Sequence, residues 1–282
     1  DNAEGTTTTG QKLIQFTEKI ANSYYNKILK TDKDYCIYTD TDSVFYSALP
    51  LVQNRHPNAD VKDDKFMTEQ ILDIASEVQD YINKSYNYFS SKFLNIHEDH
   101  RFEIKQELIA KSAFWVTKKR YGQWIINDGG LEVEKLDVKG LDIVRSSFPP
   151  AFRDFMTKVL KAILAKVPKE KIDEFILNFK KNLQNEELDK IALPTGVKGI
   201  KKYTKKQNSG GFGSKSMFTE MEKGAPVHTK ASVIYNDLLK HFKANNHEPI
   251  TNGNKVRWVY LKENPLKIDG IAYKGYDDPK QI

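Results

Sequence analysis

The sequence predicts an α+β protein in which a sheet-bearing piece precedes a mainly helical one. Three observations carry that prediction. Two long segments repeat apolar residues at three- and four-residue steps, the period of a helix with one buried face. Several short β-prone runs are separated by turns rich in Asp, Asn and Gly. The pair Pro149-Pro150 then marks a change of texture, beyond which helical period dominates. A boundary near Ser146 divides the chain into domains of 1–146 and 147–282.

Taken in order, Gln11 to Leu29 reads as an amphipathic helix through Leu13, Phe16, Ile20, Tyr24 and Ile28, capped by the threonines before it. Residues 35–38 and 44–46 are β-prone, and Thr39 to Ser43 suits the hairpin turn between them. A loop carrying Pro50 and Pro57 follows. Phe66 to Phe93 is helical through Ile71, Ile74, Val78, Ile82 and Phe89, and is expected to pack on the sheet. Strands are expected at 102–108, 113–116, 123–126 and 131–136, with Asp128-Gly129-Gly130 turning between the last two. Beyond the proline pair, 152–167 and 172–183 are helical, ending near Pro194-Thr195-Gly196. The basic, Gly/Ser-rich run 199–213 reads as a loop, 231–242 as a helix and 256–261 as a terminal strand.

With 282 residues the chain can bury one large core or two smaller ones. Cys36 is its only cysteine, which excludes an internal disulfide and a cysteine-based zinc cluster and fits a reducing interior such as cytoplasm. No apolar run approaches the roughly 20 residues that span a membrane, so no membrane partner is expected. Asp1 to Gly10 is polar and lacks the order of a secretory signal. The absence of an initiating Met points to a piece of something longer.

Net charge is +6, and its distribution says more than its size. Between Leu108 and Asn127 there is no acid, against Lys111, Lys118, Lys119 and Arg120. Between Asp189 and Glu220 there is again none, against seven lysines that include Lys201, Lys202, Lys205 and Lys206. Such stretches can follow a polyphosphate backbone, releasing counterions as phosphates are neutralised. Solvated lysine-rich faces explain the same pattern equally well.

Asp40 and Asp42 flank one threonine at the tip of an apolar hairpin. Two carboxylates so placed can converge on a hard divalent ion, which takes oxygen ligands and keeps positions for phosphate and water. Two-metal phosphoryl transfer uses such carboxylates to bridge ions about 3.5–4 Å apart. Asp-Thr-Asp-Ser is also ordinary turn chemistry, since these side chains bond their own backbone. An EF-hand is excluded by position: counted from Asp40, the required Gly falls on Phe45 and the required Glu on Leu51.

Five segments in series resemble family B DNA polymerases, in particular the replicative enzymes of T-even-like bacteriophages. Tyr38 to Ser43 resembles the hairpin motif C of that family, and Thr117-Lys118-Lys119-Arg120-Tyr121 its basic Lys-Lys-Arg-Tyr segment. Lys139 to Asp142 with Arg145-Ser146-Ser147 resembles the start of the thumb, and Thr8 to Gln11 the helix after motif B. Gly210-Gly211-Phe212 and Gly224 to His228, through Tyr235-Asn236, resemble thumb segments. The resemblance implies a partial polymerase palm, an antiparallel sheet with packed helices, in 1–146 and a thumb in 147–282.

It also implies roles. Asp42 matches the aspartate that binds both catalytic Mg²⁺ ions, Asp40 its companion, and Glu107 a nearby carboxylate on the neighbouring strand. Lys118, Lys119 and Tyr121, with Arg120 beside them, match residues that hold the primer strand. Arg145 matches a thumb-base cation, and Lys201, Lys202, Lys205 and Lys206 would meet duplex phosphates. Phe114 and Trp115 are expected in the core. Cations in the minor groove find acceptors common to every correct pair, so they test pairing without reading sequence.

The implied activity is DNA-directed DNA synthesis on primer-template DNA with dNTP substrates, in the cytoplasm of an infected bacterial host. Motifs A and B lie upstream of Asp1 in the family, so a complementing N-terminal polymerase chain is expected as partner and the chain alone is expected to be inactive. Binding of duplex DNA without chemistry is the alternative. Phage enzymes of this kind end in a short apolar peptide that docks on a sliding clamp. Gly275 to Ile282 carries no evident aromatic peptide of that kind.

Overall fold

A computed structural model of the chain describes residues 2–97, 100–205 and 217–275. It is an α+β structure whose contacts divide into two compact units, Asp1–Gly140 and Leu141–Ile282. Lys206, Gly210-Gly211-Phe212 and the tail from Tyr276 lie outside the described residues.

In the first unit, helix α1 (Asn2–Leu29) lies against the long helix α3 (Asp64–Leu94), with the short α2 (Leu49–Arg55) beside both. The threonines expected to cap α1 are inside it, so it starts before Gln11. Pro50 opens α2 rather than marking a loop; proline is suited to a first turn, whose amide lacks an intrahelical partner anyway. Helix α3 begins where the Asp63 carboxylate accepts from the Phe66 amide, and ends at Asn95 in the left-handed region. Tyr24, Tyr25, Leu51, Val52, Met67 and Ile74 form one core, and Ala21, Ile82 and Tyr86 the next. Each fully buried apolar side chain of this size contributes about 1.5–3 kcal/mol. Tyr86 buries its hydroxyl 2.7 Å from that of Thr17.

Strands β1 (Cys36–Asp40) and β2 (Ser43–Tyr46) form an antiparallel hairpin. Strands β3 (Leu108–Thr117), β4 (Arg120–Asp128) and β5 (Leu131–Lys139) form a separate antiparallel sheet in chain order. Helix α3 packs chiefly on α1 and only touches β3, so the expectation that it covers the sheet holds in part. Residues 102–107 are not a strand. Their alternation is met by α3 instead: Asn83 accepts from the Ile104 amide and donates to its carbonyl, and Gln79 accepts from the Gln106 amide.

The second unit joins a helical hairpin to a second sheet. Helices α4 (Pro150–Leu164) and α5 (Lys169–Asn182) meet through Phe155 and Phe179, whose parallel rings lie 4.1 Å apart. After the short α6 (Leu188–Ile191), Pro194 to Gly196 belong to strand β6 (Leu193–Gly196) rather than to a helix end. Past α7 (Ile200–Tyr203), helix α8 (Val227–His241) packs on the antiparallel sheet β6-β7-β8, where β7 is Lys255–Tyr260 and β8 is Gly270–Tyr273. Tyr235, Trp258 and Tyr273 fill that core. The sequence reading contained only one of the three strands.

Candidate active site

The β1–β2 and β3–β4 hairpins each place one aromatic pair across their strands: Tyr38 faces Phe45, and Trp115 faces Tyr121. The two pairs pack on each other. Tyr38 lies 5.7 Å from Tyr121 and 6.1 Å from Trp115, and Phe45 lies 5.8 Å from Trp115, between ring centres. Offset and tilted pairs of this kind contribute about 0.5–1.5 kcal/mol each beyond their burial. Phe114 and Trp115, expected in the core, are half-buried, while Tyr121 is buried. Burial first, then the charge of Asp137, pushes the Tyr121 phenol up, which keeps it protonated.

This cluster carries the acidic tip to the basic turn. Lys119 Nζ lies 3.4 Å from Asp40 Oδ1, and the Lys119 amide donates to the Tyr38 hydroxyl at 2.9 Å. The same hydroxyl donates to Asp40 Oδ2 at 3.2 Å, and Thr41 donates to Oδ1 at 3.1 Å. Partial burial pushes the Asp40 carboxyl up. The Thr41 hydroxyl, the Lys119 ammonium and the Tyr38 hydroxyl outweigh it and hold the group below the ordinary aspartate range.

Both tips are strained. Thr41 and Lys119 have φ of 35° and 61°, a region that residues with a Cβ adopt at a cost of about 1 kcal/mol or more. A register shift adjoins the basic turn, in β3 between Trp115 and Thr117, whereas that of β1, between Cys36 and Tyr38, lies at the far end of its hairpin. Gly140, at φ +66°, packs beneath the basic turn: a Cβ there would stand 2.1 Å from the Lys119 carbonyl oxygen. No local pattern in the sequence ties Tyr38 or Gly140 to this turn. The signal for both is long-range, a hydroxyl and a missing Cβ opposite one left-handed lysine.

The other expected residues fall as follows. Asp42 is exposed, and among the described residues nothing donates to its carboxylate. Lys118 and Arg120 are exposed and, among the described residues, form no ion pair. Glu107 is exposed just before β3, its carbonyl accepting from the Gly129 amide. The ladder runs from Leu108 paired with Asp128 to Thr117 paired with Arg120, so Glu107 and the basic turn stand at opposite ends of β3. At about 3.3 Å per residue that strand spans roughly 30 Å, and the structure does not bring Glu107 to the tip.

In the second unit, exposed Arg145 pairs with Asp142 at 3.0 Å. Lys201 and Lys202 are exposed on α7, and Lys205 pairs with Glu220 at 3.3 Å. Lys206 lies outside the described residues. Runs without acids in sequence are therefore not free of them in space: Lys111, too, meets Asp64 at 2.6 Å.

The oxygen donors at the tip suit a hard divalent ion. At the tip itself the described carboxylates are Asp40 and Asp42, and Lys119 already engages the first. Among the described residues no group of three or more His, Cys, Asp or Glu is arranged to hold a metal. The chemistry fits part of a metal site. No helix among the described residues is long and apolar enough to cross a membrane.

Comparison with known proteins bears on this arrangement. The family model described as DNA polymerase family B matches residues 1–280. The DNA-directed DNA polymerase of Escherichia phage RB69 is 25% identical over 286 residues, covering 96% of this chain and 30% of its own length. The DNA polymerase of Methanocaldococcus jannaschii is 28% identical over 191 residues, covering 68% of this chain and 9% of its own. The chain thus spans less than a third of the length of these curated relatives. On a match that runs almost from end to end, the chain belongs to DNA polymerase family B.

Proposed function

We propose that this chain is the C-terminal palm and thumb portion of a replicative DNA polymerase of the T-even-like phage type, working in the cytoplasm of an infected bacterial host. The observation that supports this best is the approach of Lys119 to Asp40, which sets a cationic turn beside an acidic tip. Asp42, exposed and without a described donor, would hold Mg²⁺ through its carboxylate oxygens, with Asp40 as its neighbour. Mg²⁺ held there would supply Lewis-acid chemistry towards the primer 3′-hydroxyl and the pyrophosphate leaving group. Lys118, Lys119, Arg120 and Tyr121 hold the primer strand of the primer-template. Arg145, Lys201, Lys202, Lys205 and Lys206 meet duplex phosphates.

Glu107 keeps a place in this reading only if a further segment brings its strand end to the dNTP. A two-metal site needs at least one carboxylate beyond Asp40 and Asp42, and a complementing polymerase chain with motifs A and B supplies it. The 282 residues alone therefore incorporate no nucleotide.

A second reading, duplex binding without chemistry, is favoured by the small number of carboxylates at the tip. A primer-extension assay with Mg²⁺ separates the two. The first reading expects no product from the chain alone and synthesis when the complementing chain is added. Duplex binding that never supports synthesis favours the second.

A further inference from the structure

Arg153 is an unusual cation. It sits in the first turn of α4, partly buried, and among the described residues no carboxylate pairs with it. Its partners are main-chain carbonyls: Nη2 donates to Phe148 O at 3.0 Å and reaches Arg145 O at 3.5 Å. Its Nε is fully buried and has no hydrogen-bond partner among the described residues. An Nε so placed has lost water without gaining a partner, which is costly unless the group does something for its surroundings.

What surrounds it is the turn that presents Arg145. The Arg145 amide donates to Asp142 O at 2.9 Å, and the Phe148 amide to Arg145 O at 3.1 Å, so 142–148 is a chain of tight turns. Arg153 joins both ends of its last part, and Phe152 places its ring edge-on to Phe148, 6.4 Å away. The outward face holds Arg145, Ser146 and Ser147, all exposed. On that face Arg145 is paired with Asp142 at 3.0 Å, and Arg153 reaches the turn from its main-chain side, through the two carbonyls. An exposed guanidinium beside two hydroxyls suits an anion such as a backbone phosphate, where charge-assisted bonds are strongest.

We infer that Arg153 is a positioning residue for duplex binding: it holds the 145–148 turn in shape through its carbonyls and so sets where Arg145 is presented. This rests on the proposed contact between Arg145 and duplex DNA.

The test is a double-mutant cycle on the full chain, with fluorescent primer-template duplex as probe. Arg153→Met keeps the aliphatic stem and should weaken duplex binding about threefold or more, and Arg153→Lys, which retains charge and a donor, should recover much of it. In an Arg145→Ala background, Arg153→Met should add little, because its target is gone. An equal loss in both backgrounds, or no rescue by lysine, would show a merely structural role and overturn the inference. So would a loss that follows unfolding of the Met variant at the assay temperature. Failure of the parent chain to bind duplex at all would sink the proposed function itself. Binding without coupling between the two arginines would sink this inference alone.

Discussion

Lys119 Nζ stands 3.4 Å from Asp40 Oδ1, with the Tyr38 hydroxyl bonded to both residues. The pair is exposed on the lysine side, so its energy is small, about 0.2–1 kcal/mol. Its value is geometric. It fixes which way a strained turn points its amide and its ammonium.

Removing the shared hydroxyl should loosen that geometry without unfolding the hairpins. Tyr38→Phe keeps the aromatic packing and loses two hydrogen bonds, a cost of about 1–2 kcal/mol. Amide hydrogen exchange at Lys119 should accelerate while exchange at Ile125 stays slow. Unchanged protection of Lys119 would mean that the turn is held by something else.

The Asp40 carboxyl titrates below the ordinary aspartate range because the Thr41, Lys119 and Tyr38 donors outweigh its desolvation. A carboxylate whose folded value is depressed contributes stability that is fully present above the unfolded value and is lost as pH falls through the folded one. The tip should therefore be intact across neutral pH and loosen only in acid. Carbon-13 titration of the Asp40 carboxyl should show its midpoint rising towards the ordinary value in Lys119→Met; identical midpoints would remove lysine from the explanation.

Gly140→Ala tests the floor of the basic turn. The new methyl would meet the Lys119 carbonyl oxygen at 2.1 Å, on a backbone with φ of +66°. Urea unfolding should show a loss of about 1–3 kcal/mol, with weaker duplex binding as Lys118 and Lys119 shift. Gly129→Ala, where a Cβ meets nothing within 4 Å but φ is also positive, serves as the comparison that carries strain without the clash.

In the second unit, Asp237 is buried in α8 and accepts from the Thr219 amide at 2.7 Å and its hydroxyl at 3.0 Å. Asp237→Ala strands both donors and should cost about 1–3 kcal/mol in urea unfolding. Asp237→Asn keeps one acceptor and should cost less. Equal losses would assign the effect to packing.

How much of this was legible in the sequence depends on the range of the interaction. The long helices α1 and α3 and the Asp40–Ser43 turn follow from local period and turn chemistry, and the structure has them. Residues 102–107 alternate like a strand, but the groups that satisfy them are the side chains of Gln79 and Asn83, which no local pattern reveals. Strands β6 and β8 have four residues each, too short to show a period, and exist because β7 lies between them. At the site, the residue types were readable and their meeting was not. Asp40 and Lys119 are joined by a Tyr–Trp–Phe–Tyr cluster whose members pair across two separate hairpins. Conversely, the acid-free stretches looked more cationic than they are, since Asp64 and Glu220 arrive from elsewhere in the chain.

The exposed carboxylate at the acidic tip carries the whole functional account, and one substitution addresses it. Primer extension by the chain combined with its complementing polymerase segment should fall by several orders of magnitude on Asp42→Asn, with duplex affinity unchanged. Synthesis that survives the substitution, or nucleotide incorporation by these 282 residues alone, would contradict the account.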